Sequence, residues 1–265
     1  MITVQGIHVT FGRGTPLEKK ALRGVDLTIP EGQFVTVIGS NGAGKSTLLG
    51  ALAGDVLAER GTIAIDGTDV TRWTTPRRSA LVARVFQDPM AGSCANLTIE
   101  ENMALAAARG RRRGLGLALR SDRRHQFRER IAELGLGLER RLHDRMGLLS
   151  GGQRQAVSLL MATLSGSKIL LLDEHTAALD PATADFVLDL TRRIVRENRL
   201  TTLMVTHSMR QALDYGDRTV MLHEGQVVLD VAGEERAGLD VPHLLALFAR
   251  QRGGVEISDD SLLID

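Results

Sequence analysis

One cysteine stands in 265 residues, Cys94, so no internal disulfide can form, which fits a reducing cytosol. Aromatic residues are scarce at 3%, and the single Trp73 and single Tyr215, like Cys94, read as structural. Long apolar runs are missing. Stretches such as Ile169–Leu172 fall far short of the roughly 20 residues that cross a bilayer. No basic-then-apolar leader opens Met1–Thr10. Neither sign of charge dominates: 33 Lys and Arg face 32 Asp and Glu, a net charge of +1, which gives no global reason to expect a nucleic-acid partner. Seven histidines and the one cysteine show no zinc-like spacing. No internal repeat of 20–50 residues and no low-complexity tract is found. Together these absences exclude a disordered chain, a collagen-like fibre and a disulfide-rich miniature. Any membrane role is expected to come through a partner.

What is present is an ordinary globular composition, 43% hydrophobic and 25% charged, in a length that suits one large domain or two small ones. The first third reads as strands with turns: Ile2–Thr10, Leu22–Ile29, Gln33–Ile38, then a helix over Lys45–Gly54, a strand over Gly61–Asp66 with a turn at Asp66-Gly67, and a strand over Leu81–Phe86. The middle is helical. Thr98 and Glu101 form a capping box ahead of an Ala-rich helix, and a second helix covers about Ser121–Leu134. Between Asp88 and Arg145 twelve arginines face eight acids, which suits either a solvated helical face or contact with acidic lipid or a partner. Strand–helix alternation then resumes, with helices over Gln153–Leu164, Ala182–Glu197 and Met209–Tyr215 and strands over Lys168–Leu172 and Thr201–Val205. A hairpin turns at Glu224-Gly225, a short helix lies near Val241–Arg250, and the chain closes on the acidic Ser258–Asp265. The plan is an α/β core with a helical insertion and antiparallel strands at the start.

Gly39-Ser40-Asn41-Gly42-Ala43-Gly44-Lys45-Ser46-Thr47 matches the phosphate-loop pattern G-x-x-x-x-G-K-[ST]. Glycines let the backbone curl so that its N–H groups converge on phosphate oxygens, and the following helix offers its positive end. Lys45 is placed to reach the β- and γ-phosphates and Ser46 to bind Mg²⁺. Chance supplies the four fixed positions in about one chain in a hundred of this length, and the strand before and helix after lower that further. Ile169–Leu172 runs into Asp173-Glu174, so an apolar strand delivers two carboxylates at its C-terminal edge. Asp173 suits Mg²⁺ held through water; Glu174 suits orienting or deprotonating an attacking water. Leu149-Ser150-Gly151-Gly152-Gln153 precedes a helix, with Ser150 a good N-cap and two glycines leaving amides open to an anion.

Leu-Ser-Gly-Gly-Gln between a phosphate loop and an acidic strand resembles the ATP-binding cassette (ABC) ATPases, with order and spacing matching from about Ile2 to Asp230. By that resemblance Gln87 corresponds to the Q-loop glutamine that senses Mg²⁺, Asp180 in Ala178-Leu179-Asp180 to the D-loop, His207 to the switch histidine at the γ-phosphate, and Phe11 to the aromatic that stacks on adenine. Weighed alone, a histidine after a strand is more often a structural residue and a lone glutamine means nothing; their order gives His207 and Gln87 weight, whereas Phe11 has a core residue as its alternative reading.

The resemblance implies a P-loop NTPase core with an N-terminal antiparallel β subdomain and an inserted α-helical subdomain. The ATPase domain is expected at 1–235, with the insertion at about 88–148, followed by a short helix and acidic tail at 236–265. It further implies a head-to-tail homodimer with ATP held between one copy's phosphate loop and the other's Ser150–Gln153. Catalytic roles are implied for Glu174, His207 and Gln87, and Mg²⁺ at Ser46, Gln87 and Asp173. An integral membrane permease would dock on the insertion and, indirectly, a periplasmic or extracellular solute-binding protein would supply the solute. The place implied is the cytoplasmic face of a bacterial membrane. One departure is informative. The family commonly reads Asp-Glu-Pro-Thr where this chain reads Asp173-Glu174-His175-Thr176. This looks like a bacterial uptake subgroup that includes tryptophan/tyrosine-type importers. The alternative to that subgroup reading is that His175 is a neutral variant of a surface loop, and no catalytic role is assigned to it. An exporter ATPase, or a soluble ATPase of an assembly system such as iron–sulfur cluster assembly, carries similar motifs; the discriminator is the partner.

Overall fold

The computed structural model describes residues 1–110, 119 and 121–251, with side chains described as far as residue 247. In chain order the elements are β1 (Ile2–Phe11), β2 (Lys19–Ile29), β3 (Phe34–Ile38), α1 (Lys45–Ala53), β4 (Arg60–Ile65), β5 (Thr68–Asp69), α2 (Thr75–Arg78), β6 (Val82–Val85), α3 (Ile99–Ala107) and α4 (Ser121–Ala132). They continue with α5 (Gly151–Thr163), β7 (Ile169–Asp173), α6 (Pro181–Asn198), β8 (Thr201–Val205), α7 (Met209–Tyr215), β9 (Arg218–His223), β10 (Gln226–Ala232), α8 (Gly233–Ala237) and α9 (Val241–Gln251). The basic run at 109–113 lies partly, and the acidic end at 258–265 wholly, outside the described residues.

The chain divides into two units, Met1–Thr75 with the described residues from Leu200 onward, and Pro76–Arg199. In the first unit β2-β1-β4-β5 form an antiparallel sheet. Its β4–β5 turn places Asp66 (φ 48°) and Gly67 (φ 74°) in the left-handed region that a tight hairpin requires. The other strands of the unit run β10-β9-β3-β8, with β3 parallel to both β8 and β9. The β9–β10 hairpin turns at Glu224 (φ 46°) and Gly225 (φ 78°). Strands β3 and β8 are buried along their whole length, as continuous β-branched and aliphatic runs covered on both faces should be. Ile38, Met209, Ala212, Met221, Val231 and Leu244 form one core that pins α7 and α9 to this sheet.

In the second unit β6 and β7 pair in parallel, and β7 is buried throughout. Helix α3 starts at the expected capping box: the Thr98 side chain accepts from Glu101 N–H while Glu101 Oε2 accepts from Thr98 N–H at 2.7 Å. Buried Asn102 on α3 grips the preceding loop, donating to the carbonyl oxygens of Cys94 (3.0 Å) and Thr98 (2.9 Å) and accepting from Cys94 N–H (2.8 Å). The exposed Cys94 therefore contributes through its backbone. Helix α4 is polar and buries only Phe127 and Ile131.

Candidate functional site

In the first unit the phosphate-loop sequence bridges β3 and α1. Glycine is obligatory at two of its corners. Gly39 has φ 147° and a Cβ there would stand 2.1 Å from the carbonyl oxygen of Leu222; Gly44 has φ 106° and a Cβ would stand 2.6 Å from that of Ala21. The loop is braced by its neighbours: Gly225 N–H donates to the Ala43 carbonyl at 2.9 Å. Lys45 is buried and folds back over the loop, its Nζ donating to the carbonyl oxygens of Gly39 (2.7 Å) and Ser40 (3.3 Å). Helix α1 starts at Gly44 with no side-chain cap and no acid in its first turn, so its positive end is not offset from within. Asn41, Gly42 and Ser46 are exposed, Thr47 half-buried and Ala43 buried.

His207 shares this edge. The pairing of Val37 with Val205 sets Gly39 and His207 each two residues past matched positions of adjacent parallel strands. Thr206 N–H donates to the Val37 carbonyl at 3.2 Å, and Ser208 caps α7 by accepting from Gln211 N–H at 3.2 Å. Half-buried His207 is thus held between two anchored neighbours. Phe11 ends β1 and is 45% exposed.

The second unit repeats the geometry. Val85 pairs with Leu172, so Gln87 and Glu174 each lie two residues past matched positions. Gln87 is exposed. Asp173 is buried and takes a 2.6 Å hydrogen bond and ion pair from Arg84 Nη2. Glu174 holds φ 45°, a left-handed conformation unusual for a non-glycine residue and concentrated at functional sites.

Ser150 is the N-cap of α5, as expected, and the structure adds a full capping box: Ser150 Oγ accepts from Gln153 N–H and Gln153 Oε1 accepts from Ser150 N–H, both at 3.2 Å. Leu149 is buried and anchors the approach to the helix. Gly151 and Gly152 let α5 close on its neighbours; a Cβ at Gly152 would stand 2.2 Å from Thr183 Cγ2. Asp180 caps α6, accepting from Thr183 N–H at 3.1 Å, and hydrogen bonding from the Thr183 hydroxyl and then from this N–H holds its carboxyl below the usual range.

Two residues depart from the sequence reading. His175 is not on the surface: it is 2% exposed, its Nε2 lies 3.0 Å from Thr191 Oγ1 on α6, and burial pushes its pKa down to about 4. A loop that returns under a helix buries what its sequence presents as polar. Arg84 belongs to none of the sequence motifs. The signal for it was a lone charge inside the apolar run Val82–Val85.

Among the described residues no group of three or more His, Cys, Asp or Glu side chains could hold a metal. Of the donors expected from the sequence, the first unit offers the hydroxyl of Ser46, and the second unit separately offers the amide oxygen of Gln87 and the carboxylate of Asp173. These hard oxygen donors fit a cation that arrives with phosphates and keeps several waters.

A family model described as ABC transporter matches residues 22–177. The chain belongs to the ABC transporter family. It is 42% identical over 248 residues to the tyrosine transport ATP-binding protein of Clostridioides difficile strain R20291, covering 94% of this chain and 98% of that one. It is 32% identical over 278 residues to the energy-coupling factor transporter ATP-binding protein EcfA2 of Clostridium acetobutylicum, covering 100% of this chain and 94% of that protein. Among solved structures, the ATP-binding cassette MJ0796, in a dimeric post-hydrolysis state bound to ADP and Pi, superposes with a TM-score of 0.75 at 29% identity, covering 88% of this chain and 98% of that one. The fold is thus the ABC ATPase cassette, and the chain is an ATPase of this family. Among the described residues no helix of this cassette is long and apolar enough to cross a membrane.

Proposed function

We propose that this cassette is the ATP-hydrolysing subunit of a bacterial importer for a small solute. Residues 1–235 form its ATPase domain, with 88–148 as the inserted arm that docks a separate integral membrane permease at the cytoplasmic face; 236–265 is an appendage. A periplasmic or extracellular binding protein delivers the solute to that permease. The phosphate loop carries the reading, because buried Lys45 and the close-packed Gly39 hold a backbone curl ready for phosphate. The importer part is supported by the 42% identity to a tyrosine transport protein.

The residues divide the work. Phe11 stacks on adenine. The amides of Gly39–Thr47 and the Lys45 ammonium grip the phosphates, where positioning and charge stabilisation supply most of the catalysis. Ser46, Gln87 and Asp173 would hold Mg²⁺, which neutralises phosphate charge when bound. Glu174 orients the attacking water and takes up its proton, and His207 contacts the γ-phosphate. Leu149–Gln153 of a second copy closes over the same ATP, with Asp180 beside it, so loss of the γ-phosphate opens the dimer.

Size-exclusion chromatography with light scattering tests this. Glu174→Gln should dimerise with Mg²⁺-ATP, stay monomeric with ADP and turn over very slowly. A monomer in ATP, or wild-type turnover, would contradict the reading.

A further inference from the structure

Strand β6 carries one charged residue, Arg84, between buried Ala83 and Val85. Its Nη2 meets Asp173 Oδ2 at 2.6 Å, and the two side chains are only 15% and 12% exposed. The same guanidinium lies over the Phe86 ring, 4.7 Å from its centroid. Phe86 immediately precedes Gln87, and its carbonyl accepts from the buried Gln155 Nε2 at 3.3 Å.

We propose that Arg84 is a built-in counter-cation for Asp173, which keeps that carboxylate compensated while the site is empty and holds its affinity for a divalent cation down. The proposal rests on reading Asp173 as a carboxylate of the Mg²⁺–ATP site. Two effects of the pair oppose each other. Fixing one carboxylate oxygen restricts its rotamer and so favours a metal, by about RT. The guanidinium charge opposes a second cation on the same carboxylate. At a few Å and an effective dielectric of about 20 this amounts to several times RT. Charge therefore decides the sign. Because the guanidinium also stacks on Phe86, any loosening of the pair reaches the residue next to Gln87.

The test is a Mn²⁺ titration of the full chain followed by electron paramagnetic resonance, at saturating non-hydrolysable ATP analogue, with a protein-free titration to account for Mn²⁺ on free nucleotide. Arg84→Gln should lower the Mn²⁺ dissociation constant by about fivefold or more, and Arg84→Lys, which keeps the charge, should stay within about twofold of wild type. Binding of a fluorescent ATP analogue in EDTA verifies that each variant is folded; if the glutamine variant fails that check, Arg84→Met, which keeps the stem over Phe86, takes its place. An unchanged or raised constant on removing the charge overturns the proposal, as does a lysine variant that tightens like the neutral one. Asp173→Asn separates the two readings. Weaker Mn²⁺ binding is expected there, whereas an unchanged constant would remove Asp173 from the metal site and the counter-cation role with it.

Discussion

His175 donates a hydrogen bond to Thr191, and the direction is fixed by the threonine. The Thr191 hydroxyl has one proton, which goes to the Val187 carbonyl at 2.8 Å, so its oxygen accepts at 3.0 Å from His175 Nε2–H. Burial, which pushes the pKa down to about 4, keeps the ring neutral at pH 7, and the bond then fixes the Nε2–H tautomer. This bond ties the residue after Glu174 to the middle of α6, so the loop carrying the candidate general base is anchored one residue away.

A pH dependence follows from that burial. In the folded chain His175 titrates at about 4, whereas the unfolded chain binds the proton near 6.5. Between those values the unfolded state holds the extra proton. The contribution is therefore full above pH 6.5 and is lost as the pH falls toward 4, by about 3 kcal/mol in all. Thermal unfolding of the nucleotide-free protein in EDTA should show this acid slope, and His175→Gln should flatten it. Equal slopes in the two proteins would refute the assignment.

Thr191→Val removes the acceptor but keeps the shape. The His175 N–H is then buried without a partner, at a cost of about 1–3 kcal/mol. Urea unfolding at pH 7.5 checks this. Thr191→Ser keeps the hydroxyl and should recover most of the loss.

Gly39→Ala should be more damaging than its size suggests. The new methyl meets backbone, the Leu222 carbonyl at 2.1 Å, rather than a side chain that can swing away. We expect about 1–3 kcal/mol of lost stability from the forced shift, with weakened ATP binding because the shift displaces the loop itself. Calorimetric unfolding and ATP titration on the same preparation read both.

Lys45→Met tests the loop from inside. The substitution removes the ammonium that bonds the Gly39 and Ser40 carbonyls. The ATP dissociation constant should rise by more than about tenfold, equivalent to 1.4 kcal/mol or more. Isothermal titration in EDTA measures it without hydrolysis, and an unchanged constant would remove Lys45 from the phosphate site.

Local features were readable from residue order because their partners lie within a few positions. The Thr98–Glu101 box, the Ser150 cap and the left-handed turns at Asp66-Gly67 and Glu224-Gly225 are of this kind. Edge geometry was readable too: strands expected to end at Ile38 and Leu172 end at Ile38 and Asp173, next to Gly39 and Glu174. What escaped depends on register and packing between distant segments. Arg84 meets Asp173 only because β6 and β7 pair with Val85 opposite Leu172, 87 positions apart. His175 is buried only because α6 returns over the loop with Thr191 facing it, 16 residues on. No propensity or spacing rule carries either fact.

Whether this cassette drives a membrane permease is decided most directly by one measurement. Glu174→Gln, held closed with Mg²⁺-ATP, is used to pull partners from detergent-solubilised native membranes, and the captured proteins are identified by mass spectrometry. Recovery of a multi-span permease in stoichiometric amount, lost when ADP replaces ATP or when the 88–148 arm is altered, is the predicted result. Recovery of soluble proteins alone would contradict the importer reading.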